Sequence, residues 1–344
     1  SVWWVAHTVN SRVTQFVTHM TKSQGMFELL PPQRAAIREQ GLLDQAARAV
    51  VVDLPTSGGK TVLAEFRMLQ ALNQFVADGG WIAYVAPTRA LVAQITRRLR
   101  SHLDLLGVRV EQLSGAVEVD AFEEELLGGG SSKESFDVLV STPEKLQFVI
   151  RNKKVARPLV LLVVDEAHNL EDEARGLRIE LLIATVKRDC QSAAFLLLMP
   201  NVPNADDLTR WLDPDSGKTI SLSTSAWQPN DRIVGVFHAA SEPARRGDWQ
   251  LRYKTVITDP GTTCLSGEHR VGAVRPLDIS FAKARATLSA QAVGMAAAFS
   301  DRGTSIAVGS TVPNTWSMAK LAASRFGPFD DVPDDIQLVQ QYLR

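Results

Sequence analysis

Cysteine is nearly absent from this chain of 344 residues. Its two cysteines, Cys190 and Cys264, lie far apart and stand in no metal-binding spacing. That scarcity excludes a disulfide framework and a zinc site, and it fits a reducing, intracellular setting, cytoplasmic or nucleoid-associated. No apolar stretch approaches the ~20 residues that cross a bilayer, so no membrane partner is expected. The opening "SVWWVAHTVNSRVTQF" lacks a basic leader and a small-residue cleavage site, and it reads as a helix packed on the body of the protein. The abrupt start raises the expectation that the chain is cut from something longer. Net charge of one sign is missing too: 37 basic against 38 acidic side chains leave −1. A nucleic-acid partner would therefore have to be gripped by a local basic surface. No internal repeat of fixed period occurs.

What is present is an ordinary globular balance, with 45% hydrophobic and 22% charged residues, at a length that suggests about two domains. Short runs rich in Val, Ile and Leu at 49–54, 81–86, 138–141, 159–164 and 194–199 read as buried strands. Segments of helical spacing separate them, such as "TVLAEFRMLQALNQF" and "RALVAQITRRLRSHL". That alternation predicts a doubly wound α/β fold, a parallel sheet with helices on both faces and ligands at the carboxyl ends of its strands. "GGGSSKES" at 128–135 reads as a surface linker. After about residue 215 the texture becomes β-rich, then helical over "RPLDISFAKARATLSAQAVGMAAAFS", then strand, loop and helix from Gly303.

At the end of the first strand stands "LPTSGGKT", residues 54–61. It matches the phosphate-binding loop G-x-x-x-x-G-K-[ST] except that Leu54 takes the place of the first glycine. Thr56, Ser57, Gly58 and Gly59 would wrap the phosphates, the two glycines allowing close backbone approach. Lys60 would neutralise phosphate charge and the Thr61 hydroxyl would ligate magnesium. A second match, "SGKT" at 216–219, follows "DPD" rather than a strand and reads as a turn in a hairpin. The partner of the first loop is "LLVVDEAHNL" at 161–170, where a buried strand ends in Asp165 and Glu166. A magnesium–nucleotide site needs one acid near the metal, here Asp165, partly through water, and a group to activate water, here Glu166.

"DEAH" with "PTSGGKT" resembles the DExH-box helicases of superfamily 2, closest to the superkiller-like branch. The resemblance covers residues 27–215 well and 303–325 weakly. It implies a RecA-like lobe that binds ATP with Mg²⁺. "LLPPQRAAI" is similar to the glutamine motif, which makes Gln33 the reader of adenine. "APTRALVAQ" is similar to motif Ia, "STPEKL" to motif Ib and "QLSGAVE" to the short glycine motif between them. By that match Thr88, Arg89, Ser114, Gly115, Thr142 and Pro143 would grip the backbone of one nucleic-acid strand, a sequence-independent contact. For Thr142 and Pro143 alone the plainer reading is helix capping with proline at the first turn, and both readings can hold, since a capped helix start is also an anion site. "RNKKVAR" at 151–157 reads as a solvated charge run, with an electrostatic extension of the grip as its alternative.

Two departures stand out. Where the family has Ser-Ala-Thr in motif III, coupled to strand movement partly through His168, this chain reads Met199-Pro200-Asn201, while keeping Asn204 and Trp211-Leu212. ATP binding should survive this change, and coupling to unwinding is put in question. The second-lobe pattern Gln-x-x-Gly-Arg-x-x-Arg does not occur before Arg344, so the resemblance implies a fragment of a longer helicase, weakly active alone. The expected organisation is a helical segment over 1–30, a RecA-like lobe over 31–220, a β-rich and helical connection over 221–302, and the start of a second lobe over 303–344. The expected activity is ATP-driven translocation or unwinding of DNA or RNA. Alternatives are an end-sensing ATPase partnered with a nuclease and a non-catalytic nucleotide-binding scaffold.

Overall fold

The computed structural model describes residues 11–54, 58–75, 77–113, 136–171, 176–200, 204–221, 233–242, 247–258, 267–301 and 303–326. The chain divides into two compact units, Ser1–Pro229 and Asn230–Arg344. In the first, helices α1 (Ser11–Gln24) and α2 (Pro31–Arg38) precede an α/β array. The array runs β1 (Ala49–Asp53), α3 (Lys60–Gln74), β2 (Trp81–Val85), α4 (Arg89–Leu103), β3 (Val110–Leu113), β4 (Val138–Ser141) and α5 (Pro143–Arg151). It continues with β5 (Leu159–Val164), α6 (Gly176–Asp189), β6 (Ala194–Met199), α7 (Ala205–Leu212) and β7 (Lys218–Ser221). The seven strands form one sheet in the order β3-β4-β2-β5-β6-β1-β7. Every ladder in it is parallel.

The period of two along each strand assigns the two faces. Val50, Val52, Tyr84, Val140, Val163 and Leu198 join a core with α1, α3 and α4. Val51, Val85, Leu139, Leu162, Val164 and Leu197 join another with α5, α6 and α7. Because both faces are covered, these strands are apolar throughout rather than alternating with polar residues. The five strands read from sequence are all present to within a residue. Register pairs Val85 with both Ser141 and Val164, and Asp53 with both Met199 and Ser221. The carboxyl ends therefore share one edge, where the loops after β1, β2, β4 and β5 emerge.

The hairpin expected at 216–219 does not form. Lys218–Ser221 is an edge strand parallel to β1. Gly217 makes the entry possible: a Cβ there would lie 2.5 Å from the Asp213 carbonyl oxygen and 2.6 Å from Thr209 Cγ2. Lys218 then pairs with Asp44, so it serves the strand and not a phosphate.

In the second unit β8 (Ile233–Ser241), β9 (Trp249–Thr258) and β10 (Glu268–Val271) form an antiparallel sheet with β9 central. Helices α8 (Phe281–Ala286), α9 (Leu288–Phe299) and α10 (Val312–Phe326) follow. Trp249, Leu251 and Ala239 pack with Ala284, Val293 and Met318 in a small core. The strand expected just after Gly303 is not formed. Residues 303–309 have no ladder partner among the described residues, and Ile306 and Val308 are each 84% exposed. An isolated strand leaves its backbone groups and apolar side chains in water, so extended sequence alone does not make one. Residues 128–135 lie outside the described residues.

Candidate nucleotide site

The loop after β1 is built on packing that replaces the missing glycine. Leu54 is fully buried and its N–H donates to the Met199 carbonyl at 3.0 Å. Its side chain fills the space over Gly58, where a Cβ would fall 2.6 Å from Leu54 Cγ. The substitution of Leu for Gly at the start of the loop is thus matched by Gly58 four residues on. Gly59 is required twice: its φ is +78°, and a Cβ would meet Gln33 Nε2 at 2.1 Å. Thr56 and Ser57 lie outside the described residues.

Gln33 is buried and uses both ends of its amide on the loop's surroundings. Oε1 accepts from the Leu30 N–H at 2.9 Å, and Nε2 donates to the Gly59 carbonyl at 3.2 Å. It ties α2 to the phosphate loop in this state.

Lys60 begins α3, and Thr61, half-buried, follows it. The Lys60 ammonium is buried and has no hydrogen-bond partner among the described residues; Glu166 Oε1 stands 3.9 Å from it. An ammonium in that condition is costly unless an anion meets it. Asp165 and Glu166 leave β5 at the same edge, and His168 Nδ1 lies 3.2 Å from Glu166 Oε2. Glu166 has φ +51°, a conformation that costs a residue with a Cβ roughly 1–2 kcal/mol. Its N–H donates to Asp165 Oδ1 at 2.9 Å, which helps hold the turn.

Asp165 Oδ2 accepts from the fully buried Tyr84 hydroxyl at 2.9 Å. Burial pushes the Asp165 carboxyl above the usual carboxylate range. The Tyr84 bond opposes this, while the Glu166 charge adds to it. Burial, then the Asp165 charge, raise the Tyr84 hydroxyl well above its ordinary value, so it remains a donor. Tyr84 escaped the sequence reading. Its signal was there: it is the one aromatic hydroxyl in the apolar run "WIAYV", and a buried tyrosine hydroxyl needs a partner.

The residues expected to hold magnesium, Thr61 and Asp165, sit with Lys60 and Glu166 at one sheet edge. The glycine cradle and the buried ammonium, which has no hydrogen-bond partner among the described residues, fit a phosphate-bound divalent ion, whose remaining ligands would be phosphate oxygens and water. No group of three or more acidic, histidine or cysteine side chains able to hold a metal unaided occurs among the described residues.

The residues expected to touch nucleic acid divide. Thr88 and Arg89 are exposed at the start of α4, where Thr88 Oγ1 caps the helix by accepting from the Leu91 N–H at 3.3 Å. Thr142 and Pro143 start α5 on the neighbouring strand end. The capping reading holds for Pro143 at the first turn but not for the Thr142 side chain, which makes no cap bond. Ser114, Gly115 and Asn201 lie outside the described residues. Met199 is buried in the core of the second face. Within 151–157, Arg157 donates to the Phe136 carbonyl and lies over the Phe136 ring at 5.3 Å, so that cation is structural.

The family model of the DEAD/DEAH box helicases matches residues 31–203, half of the chain. The ATP-dependent DNA helicase Hel308 of Thermococcus kodakarensis is 30% identical over 227 residues, covering 66% of this chain and 18% of its own. The Hachiman protein HamB of Bacillus cereus is 30% identical over 189 residues, covering 54% of this chain and 16% of its own. The chain therefore spans under a fifth of the length of these two relatives. The crystal structure of the helicase MrfA aligns over 96% of this chain and 44% of its own, with a TM-score of 0.57 at 15% identity, a likeness of fold. The matched residues 31–203 hold the loop at 58–61, the acids at 165–166 and six of the seven strands of the sheet that carries both, and the chain belongs to the DEAD/DEAH box helicase family.

Proposed function

We propose that this chain is the nucleotide-hydrolysing part of an ATP-dependent helicase or translocase of the DExH type, related to the superkiller-like branch, acting on DNA or RNA. The observation that carries the proposal is the buried Lys60 ammonium, without a hydrogen-bond partner among the described residues, beside Glu166 and close to a glycine cradle. Phosphate oxygens are the anions that such a group in such a loop receives. Gly58, Gly59 and Lys60, with Thr56 and Ser57, would hold the β- and γ-phosphates. Gln33 would read adenine by releasing its bond to Gly59. Magnesium, held by Thr61 and Asp165 partly through water, would supply positive charge to the phosphate oxygens. Glu166 would take the proton of the attacking water, and His168, 3.2 Å from it, would hold its carboxylate in place.

One strand of nucleic acid would lie along the loops after β2 and β4, on Thr88, Arg89, Thr142 and Pro143, with Ser114 and Gly115 beside them. The organisation proposed is a helical segment over 1–30, the ATP-binding lobe over 31–220, a connection over 221–302 and the beginning of a second lobe from 303. A second reading is an ATPase that senses nucleic-acid ends beside a nuclease without separating strands. The buried Met199 favours it, because a thioether cannot take the place of the motif III serine as a hydrogen-bond donor.

The test is ATP hydrolysis by the protein with and without single-stranded DNA or RNA, run beside a strand-displacement assay. Stimulated hydrolysis with displacement supports the first reading, and stimulation without displacement supports the second. Hydrolysis indifferent to nucleic acid would defeat both.

A further inference from the structure

The second unit carries a positively charged sheet face that the nucleotide site does not use. Along β9 the residues facing away from the helical core are Gln250, Arg252, Lys254 and Val256. Register sets His238 and Arg270 on either side of Arg252, and Val236 and Glu268 on either side of Lys254. Arg252, Lys254 and Arg270 thus share one face with Glu268 between them, and at its end the buried Gln250 joins Arg252 to a second carboxylate, Glu242. Glu268 serves two groups, lying 3.4 Å from Arg252 Nη1 and 3.4 Å from His238 Nε2. Arg270 is exposed and pairs with no acid among the described residues.

Two physical points separate this face from an ordinary solvated one. Arg252 and Arg270 stand directly opposite each other across an antiparallel ladder, an arrangement of like charges that disfavours the pairing. Cations on edge strands are a common guard against aggregation, but Arg252 and Lys254 belong to the central strand, which needs no guard. The arrangement makes sense with an anion laid across it. A phosphodiester backbone supplies anions spaced along a line, and a pleated strand presents every second side chain at roughly 7 Å along its length.

Resting on the reading of the chain as a nucleic-acid motor, we propose that this sheet face is a second contact for single-stranded nucleic acid, gripping phosphates through Arg252, Lys254 and Arg270. It carries no base recognition, and it belongs to the second unit in its own right. It accounts for how a chain with a net charge of −1 holds a polyanion: basic side chains are concentrated where the backbone runs.

The test is fluorescence anisotropy of a labelled oligothymidylate of about 20 nucleotides with the chain, across salt concentrations. Each single-strand phosphate contact contributes about 0.7 to the slope of log affinity against log salt. The double variant Arg252→Ala with Arg270→Ala is expected to lower that slope by about 1.4 and to weaken binding on the order of tenfold at 0.1 M salt. Arg252→Lys with Arg270→Lys, which keeps the point charges, is expected to bind within about twofold of the parent. Both residues lie outside the small core, and circular dichroism melts check that the fold is kept. Parental slope and affinity in the double alanine variant would overturn the proposal and leave the face to an acidic protein partner. If Arg89→Ala lowers the slope in the same series, the nucleic-acid reading itself survives that outcome. A parent chain that binds no oligonucleotide at any salt would overturn both together.

Discussion

The Tyr84 hydroxyl donates to Asp165 Oδ2 at 2.9 Å, joining the strand that leads to Thr88 and Arg89 to the acid proposed to hold magnesium. Tyr84 is paired in register with Val163, two residues before that acid. One hydrogen bond thus links the strand ends proposed to hold the nucleotide and the nucleic acid. Tyr84→Phe removes it and little else. We expect the affinity for Mg-ATP to fall roughly fivefold, the worth of one ordinary hydrogen bond (~1 kcal/mol), because this bond acts on the ligand only through Asp165. Affinity for ATP in the presence of a chelator should be unchanged. Titration of a fluorescent ATP analogue at several magnesium concentrations reads both, and an equal loss in both conditions would assign Tyr84 a purely structural part.

Burial of Asp165 has a consequence for stability. Its folded carboxyl lies above the ordinary value, so the folded chain keeps that proton more tightly than the unfolded one. The associated stability is present below the ordinary carboxylate value and is lost as pH rises through the raised value. Asp165→Asn has no such titration, and the Tyr84 hydroxyl can turn to accept from the new amide. We expect Asp165→Asn to melt at a higher temperature than the parent at pH 7, with the gap closing as pH falls toward 4. A gap that widens on acidification would reverse the sign and refute the assignment.

Leu54 and Gly58 should be energetically coupled. Gly58→Ala drives a methyl into Leu54, which is fully buried and cannot swing away, at a cost of about 1–3 kcal/mol. Leu54→Ala clears the space, so the double variant should recover part of that loss, with a coupling of about 1 kcal/mol or more. Urea unfolding of the four proteins gives the value. Simple additivity would mean that the two residues do not share the space.

Where apolar runs were bounded by turn signals, the sequence carried the fold. The strands at 49, 81, 138, 159 and 194 are each apolar on both faces, a pattern that few other structures produce. Failures came where a partner decides the outcome. Lys218–Ser221 reads as hairpin material in isolation, yet β1 offers an open edge and a parallel partner. The stretch after Gly303 has strand composition and no described neighbour to pair with. At the site, the loop and the two acids were legible as a motif, since residue type and spacing alone define them. The Tyr84 bond, the Gln33 clamp on Gly59 and the fit of Leu54 over Gly58 were not. Each depends on which strands and helices become neighbours, and sheet order is not written in local spacing.

The most direct test of the account is equilibrium binding of a fluorescent ATP analogue, with magnesium, to the chain and two variants. Lys60→Ala removes an ammonium that has no hydrogen-bond partner among the described residues, so the fold should be no less stable. Loss of its charge-assisted phosphate contact should weaken binding roughly 10–150-fold. Glu166→Gln should bind like the parent while its hydrolysis falls roughly 10²–10⁴-fold, because the amide cannot take the proton from water. Parental affinity in a folded Lys60→Ala protein would contradict the central claim that this loop holds the phosphates of ATP.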